Sequence, residues 1–420
     1  MLKTKQNINR YRLNDLRLLL FELSVGGHYP EYVSHIVRYW CEQKLSGVLN
    51  VVVVPEFLER HSDVTEIPGN YQIDNVHFIA ITSAERAGLK PYRSGINRTL
   101  RAWQEFDSIA KYARKLQVEC ILIPYFDTKM LPLALGKTLP CSFSGIYFRP
   151  SFHYPYLTTN YHPSRKDKLQ YLREKIVLSR VLENKRLKSL LCLDPFAVKY
   201  INQIGPEKAS YLPDPVKTYP SLSPSQLKQI ANNLGIETSR QIHLIFGDLN
   251  KRKGVEQILK AVPLISPELT QKLCLLFVGS MSGKNFHDFQ VYKTDLCESL
   301  PIQIIHHNEY IPESDIQNYF ELADVVLALY QRHVGMSGIL NRAAAAQKPV
   351  LSSDYGLMGE ITRRYQLGIT VDSSNPHEIA NGLSKFLTIP PKRHINRQKM
   401  SDYALQNSVD SFASKIFDAL

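Results

Sequence analysis

Short aliphatic and β-branched runs recur along this chain, each followed by a glycine-containing or polar turn and then by apolar residues spaced three or four apart. In the first half the runs fall at 17–25, 47–54, 75–81, 118–124, 142–148 and 189–193, with helical patterns between them at about 30–43 and 97–116. The second of these helices places Leu100, Trp103, Phe106, Ala110 and Ala113 on one face, a core face by default. In the second half the runs fall at 242–247, 273–278, 302–306, 323–329, 349–352 and 368–371, with helices near 224–234 and 255–264. Strands apolar at successive positions are buried on both faces, and their alternation with helices predicts parallel sheets covered on both sides.

From Tyr211 to about Ser225 periodicity is lost and proline and serine accumulate, which marks a linker. The pattern divides the chain into a first domain over 1–212, a linker and entry helix over 213–238, a second domain over 239–398 and a C-terminal helix over 399–420. That last helix carries Tyr403, Ala404, Val409, Phe412, Ile416 and Phe417 at helical spacing and is expected to return to the first domain. The expected fold class is α/β, with two Rossmann-like doubly wound domains facing a cleft. With 420 residues and 44% hydrophobic content, the chain can bury two separate cores.

A formal net charge of +12 directs attention to anionic partners: nucleic acid, an acidic membrane surface or a phosphorylated small molecule. Nucleic acid is disfavoured, because the basic residues are dispersed and no zinc spacing, aromatic ribonucleoprotein motif or recognition helix accompanies them. Much of the basic charge sits over 164–188, where Arg173, Lys175, Arg180, Lys185, Arg186 and Lys188 mix with Leu169, Leu172, Ile176 and Leu182. Such a helix is either a solvated face with leucines turned inward or a peripheral contact for an acidic lipid surface. The six cysteines are far apart and lack paired CxxC spacing, which fits reduced thiols in a cytoplasmic protein, at the inner face of the membrane if the basic helix docks there. At the N-terminus, Arg17 and Glu22 interrupt a short apolar run, so a first strand is a better reading than a signal peptide. No run is long enough to span a bilayer.

Candidate chemistry gathers where strands end. Between Asp324 and Asp354 the chain reads strand, loop, helix, strand, and the loop is Gly335-Met336-Ser337-Gly338. A glycine-flanked helix start leaves backbone N–H groups free to meet an anion, so a phosphate is expected there. Gly26-Gly27-His28 follows the first strand, either as a tight turn or as backbone facing a ligand. Loops at 126–130 and 148–154 follow two further strands. There, Asp127 could receive a proton or hydrogen bond from an acceptor hydroxyl or cap the next helix, and Arg149 and His153 could contact an anionic or sugar group or lie on a surface loop. No metal site is expected, since His306-His307 has no acidic or cysteine cluster nearby; no P-loop and no carboxylate pair for glycoside hydrolysis is visible.

The second half resembles family 4 of the GT-B glycosyltransferases, the retaining enzymes grouped as glycosyl transferases group 1. The resemblance rests on Phe-Gly-Asp-Leu-Asn-Lys-Arg-Lys-Gly-Val at 246–255, Leu-Leu-Phe-Val-Gly at 275–279, the stretch 310–330, the loop and helix 335–350 and Ser-Ser-Asp-Tyr-Gly-Leu-Met-Gly-Glu at 352–360. The first half is similar in outline only. The resemblance implies that Lys253 meets the donor diphosphate, that Arg252 adds a second cation, and that the 335–338 loop, chiefly Ser337 and Gly338, contacts the same phosphates. It further implies that Gly26 and Gly27 approach the donor from the first domain; the histidine usual there near the reacting sugar has no obvious counterpart, His28 and Asp127 being the candidates, while Arg149 and His153 are placed on the acceptor side by their strand-end loop. Two glutamates usual in that family fall on Val334 and Arg342, and the arginine of its Gly-Arg-Leu turn falls on Asp248; Arg342 is offered as an additional cation. The expected activity is transfer of a hexose-like sugar from a nucleoside-diphosphate donor to an acceptor hydroxyl, retaining in the family's manner, in glycan or glycolipid synthesis, with no cofactor or metal. The acceptor would be a glycan, a lipid-linked compound or a small molecule. The rival expectation is a GT-B scaffold that has lost transfer.

Overall fold

In the computed structural model, which describes residues 16–91, 94–157 and 163–420, the first apolar run becomes β1 (Arg17–Phe21). Leu18, Leu19, Leu20 and Phe21 are all buried, because the strand lies inside a sheet covered on both faces. Its neighbours are β2 (Val48–Val53), β3 (Val76–Ala80), β4 (Cys120–Ile123), β5 (Ser142–Tyr147), β6 (Leu187–Cys192) and β7 (Ala209–Tyr211). The sheet order is β3-β2-β1-β4-β5-β6-β7 and every pairing is parallel. β7 has three residues, too few to register as an apolar run.

Three helices of this unit bear on function: α1 (Tyr29–Glu42), α2 (Gly95–Lys115) and α3 (Arg165–Leu182). The face that α2 buries differs from the expected one. Phe106, Ala110 and Ala113 are inside, but Leu100 is 45% exposed, and Trp103 is half-buried with the Lys137 ammonium 4.8 Å from its ring. The buried face instead includes Arg101 and Glu105, whose side chains meet at 2.5 Å, and Glu105 also takes the buried Lys129 ammonium. A buried charge cluster of this kind is tolerated when its members are paired, and hydrophobic periodicity cannot reveal it.

The second sheet is built from β8 (Gln241–Phe246), β9 (Leu273–Val278), β10 (Gln303–His307), β11 (Val325–Ala328), β12 (Val350–Ser353) and β13 (Gly368–Val371), ordered β10-β9-β8-β11-β12-β13 and parallel throughout. All six residues of β9 are buried. The helices used below are α4 (Val255–Ala261), α5 (Glu313–Leu322), α6 (Gly338–Ala345) and α7 (Arg397–Gln406).

Two compact units result. One holds the described residues up to 153 together with Pro163–Pro213 and Val409–Leu420; the other holds 154–157 and Asp214–Ser408. The C-terminal segment is two helices rather than one. α7 stays in the second unit, where the Tyr403 hydroxyl donates to Asn341 Oδ1 of α6 at 2.5 Å. The return to the first unit is made by α8 (Val409–Asp418), whose Phe412 lies 4.8 Å from the Tyr32 ring and whose Phe417 lies 5.3 Å from Tyr39. Among the described residues no helix is long and apolar enough to cross a membrane.

Candidate functional site

In an open parallel sheet, ligands sit beyond the carboxyl ends of the two strands where the order reverses, since the following loops there diverge and leave a crevice. In the second unit those strands are β8 and β11. After β8 the chain turns at Gly247 (φ +107°), passes Asp248 and Asn250, makes a single 3₁₀ turn over Lys251–Lys253, and enters α4 through Gly254. Asn250 caps that turn by accepting the Arg252 amide at 3.0 Å. Gly254 has φ +72°, and a Cβ there would strike the Leu329 carbonyl oxygen, so the turn needs glycine both for its conformation and for close approach to the end of β11. The Gln331 amide donates to the Arg252 carbonyl at 2.8 Å, which fastens the two strand ends together.

This folding brings Lys253 to Tyr330. The lysine is buried, and its ammonium donates to the Phe246 carbonyl at 2.7 Å and to the Tyr330 hydroxyl. The same hydroxyl accepts from Ser337 Oγ at 2.9 Å, and the Arg252 guanidinium lies 5.0 Å from the Tyr330 ring centre. Burial would raise the phenol's pKa, but the Lys253 charge, the bonds from Lys253 and Ser337, and Arg252 outweigh it, and the net direction is downward. Gly247 sits directly over the ammonium: a Cβ at that position would lie 3.2 Å from Lys253 Nζ.

Ser337 stands at the N-cap of α6, yet its side chain does not cap the helix. Its hydroxyl is turned to Tyr330, so the first-turn amides are left without that cap, and of them Leu340 donates to the Ser337 carbonyl at 3.2 Å. Gly335 departs from expectation in one respect: its amide is already taken by the buried Tyr154 hydroxyl at 2.9 Å. Met336 lies between them, its carbonyl 3.3 Å from His333 Nε2. Arg342, expected as a further cation for the phosphates, is instead ion-paired with Glu313 of α5 at 2.5 Å. Val334 is half-buried in the loop.

In the first unit the order reverses between β1 and β4, and Gly26, Gly27, Tyr125 and Asp127 follow those strands. Gly26 and Gly27 are exposed, and Gly27 has φ +68°. His28, exposed as a whole residue, lies 4.5 Å from the Tyr29 ring and 5.3 Å from Phe148; desolvation, then the Arg149 charge, lowers its pKa to about 4. A neutral imidazole at pH 7 can hydrogen-bond but is a weak proton acceptor.

Asp127 does not cap the following helix: its two oxygens accept the Phe148 amide at 2.9 Å and the Arg149 amide at 3.0 Å, while the N-cap residue is Lys129. Burial raises its pKa to about 6 against the pull of those bonds and of Arg149. His153 is fully buried, with Nε2 3.0 Å from Asp194 Oδ2, so neither the surface-loop reading nor an open acceptor-facing position holds for it. Arg149 is exposed and lines a cavity of about 520 Å³ with Asp127, Lys166 and Arg173. Among the described residues no group of three or more histidines, cysteines and carboxylates is placed to hold a metal ion.

Two residues of this arrangement escaped sequence reasoning. Tyr330 ends an apolar run at the carboxyl edge of a sheet, and a hydroxyl in that position was an available signal. Tyr154 had none, because its bond to Gly335 spans 181 residues.

Residues 228–406 match the family profile described as Glycosyl transferases group 1. The D-inositol 3-phosphate glycosyltransferase of Thermobifida fusca is 23% identical over 238 residues, covering 54% of this chain and 54% of that protein. The chain thus spans about half the length of this curated relative. Sucrose-phosphate synthase from Thermosynechococcus elongatus superposes with a TM-score of 0.67 at 14% identity, over 96% of this chain and 97% of that one. Anabaena HepE, solved in complex with UDP, superposes with a TM-score of 0.65 at 12% identity, over 96% and 98%. Identities this low speak for the fold, and the fold is GT-B.

Proposed function

We propose, for a chain of GT-B fold whose residues 228–406 carry the group 1 glycosyltransferase match, that it moves a sugar from a nucleoside-diphosphate donor to an acceptor hydroxyl. One observation carries the proposal. A buried ammonium, a phenol and a serine hydroxyl converge beside a helix start where the strand order of the second sheet reverses. Departure of a nucleoside diphosphate builds negative charge on phosphate oxygens. Fixed cations and amides already aimed at that charge stabilise it without reorganising.

In this reading Lys253 and Arg252 supply the cations, Ser337 and the α6 start supply hydrogen-bond donors, and Tyr330 positions Lys253. UDP is the first nucleotide to test, because the HepE structure holds it. Retention of configuration and a hexose donor are carried over from the family resemblance. In the first unit the acceptor-facing role is assigned to Arg149 and the turn at Gly26-Gly27-His28, and Asp127 acts by holding the Arg149 amide.

A second reading, a scaffold without transfer, draws on Arg342, which stands at a usual glutamate position and is occupied by Glu313. The test is a thermal-shift titration with UDP, GDP, ADP and CDP, followed by an assay for nucleotide release from the matching sugar donor. A nucleotide that binds only the folded chain raises its melting temperature. No shift with any of the four overturns the donor site; a shift without release, across a panel of acceptors, favours the scaffold.

A further inference from the structure

On α3, every third or fourth residue from Leu169 points the same way, and the three aliphatic side chains on that face are left in solvent. Leu169 is 70% exposed, Leu172 56% and Ile176 51%. The opposite face carries Tyr171, Leu178, Val181 and Leu182, all buried. A solvated helix of ordinary kind turns its leucines inward and its charges of both signs outward. α3 keeps a second apolar stripe outside.

The charges on the helix are segregated in the same sense. Arg165, Arg173 and Arg180 lie four residues from Leu169, Leu169 and Ile176 respectively, on the exposed stripe, and Lys166 and Lys168 flank it. The two carboxylates within the helix are both spent on the protein. Asp167 accepts the Ser164 amide at 2.9 Å in the N-terminal capping box. Glu174 accepts the Ser151 amide at 2.9 Å, the Ser151 hydroxyl at 2.6 Å and the Tyr147 hydroxyl at 2.7 Å. The first solvent-facing carboxylate comes only at Glu183, the C-cap.

We infer that this face of α3 docks on an anionic lipid bilayer, lying in the plane of the headgroups with Leu169, Leu172 and Ile176 inserted and the arginines and lysines on lipid phosphates. The helix is too polar to span a membrane, and interfacial helices of this composition bind by adding a modest apolar burial to attraction for anionic lipid. Nucleic acid would use the cations but gain nothing from three exposed aliphatics. Lys166, Leu169 and Arg173 also border the cavity that reaches Arg149, so a headgroup held on this face adjoins that residue. The inference does not depend on the donor site.

The test is flotation of the full chain with phosphatidylcholine vesicles, with and without phosphatidylglycerol. Two triple variants are compared: Leu169→Ser with Leu172→Ser and Ile176→Ser, and Arg165→Ser with Arg173→Ser and Arg180→Ser. The wild type is expected to float only with phosphatidylglycerol-containing vesicles, and each variant to bind more weakly by a factor on the order of ten or more, with an unchanged melting curve because these side chains touch little. Absence of flotation at low salt overturns the inference, as does equal binding by the aliphatic variant. A wild-type dimer that the aliphatic variant converts to monomer, with no vesicle binding, assigns the face to a second copy of the chain and also overturns it.

Discussion

Lys253 and Tyr330 hold one another inside the second unit, the ammonium donating to the phenolic oxygen across 77 residues of sequence. The lysine's other acceptor is the Phe246 carbonyl, and the tyrosine's other donor is Ser337. The strand ends after β8 and β11 are therefore joined by a charged hydrogen bond as well as by the Gln331–Arg252 backbone bond.

Removing the phenol oxygen should cost stability and donor affinity together. Tyr330→Phe leaves a buried ammonium with Phe246 as its one remaining acceptor in this arrangement, at a cost of roughly 1–3 kcal/mol. Urea unfolding measures the first effect and a donor titration the second, where KM should rise. Unchanged unfolding stability together with an unchanged KM would contradict the bond's importance.

Lys253→Met keeps much of the aliphatic stem and removes the charge. Its removal takes the donor from the Phe246 carbonyl and the Tyr330 hydroxyl, so folding stability should fall by roughly 1–3 kcal/mol. The melting-temperature rise with a nucleoside diphosphate should disappear. A rise that survives in the variant moves the diphosphate elsewhere.

Two glycines make opposed predictions. Gly254→Ala forces a Cβ onto the Leu329 carbonyl at φ +72°, and should destabilise by roughly 2 kcal/mol or more. Gly26→Ala meets nothing within 4 Å at a negative-φ position and should be nearly neutral in the folded state. Chemical denaturation of the pair decides whether the turn before α4 is as tightly packed as the structure has it.

Glu22 gives the first unit a pH dependence of definite sign. Burial raises its pKa from 4.5 to about 7, against the hydrogen bonds from Ser24 and the Lys129 charge. The folded form thus holds the proton more tightly: this contribution is full below about pH 4.5 and is lost as the pH rises through about 7. Glu22→Gln keeps an acceptor for the Ser24 amide and removes the loss. Its stability relative to wild type should grow by up to about 3 kcal/mol between pH 4.5 and pH 8. A flat difference across that range counts against the buried carboxyl.

His243, buried in β8, predicts the reverse slope. Desolvation lowers its pKa from 6.5 to about 3, so its contribution is full above pH 6.5 and is lost as the pH falls towards 3. His243→Phe should flatten the wild type's acid-side loss in that window, read by unfolding at pH 4 and pH 7.

Much of the architecture was legible because parallel strands buried on both faces leave uniform apolar runs, and all but the three-residue β7 announced themselves that way. The nature of α2's buried face was not legible, because Arg101, Glu105 and Lys129 are inside only by virtue of one another. The candidate residues divide along the same line. Ser337 stands out from local chemistry, a glycine-flanked helix start, and Lys253 from the resemblance carried by the basic turn after β8. What each touches is decided elsewhere in the chain: Tyr330 for both, Tyr154 for Gly335, Glu313 for Arg342, Asp194 for His153.

By itself, then, the sequence determined the strands, the turns and the kinds of side chain delivered to each strand end, since these follow from periodicity and from backbone preferences over a few residues. Only the tertiary structure decided which donors and acceptors are satisfied. A buried polar group must find a partner, and in a parallel sheet the strands that bring partners together are joined through long crossovers, so the pairing is written in the sheet order and not in local spacing.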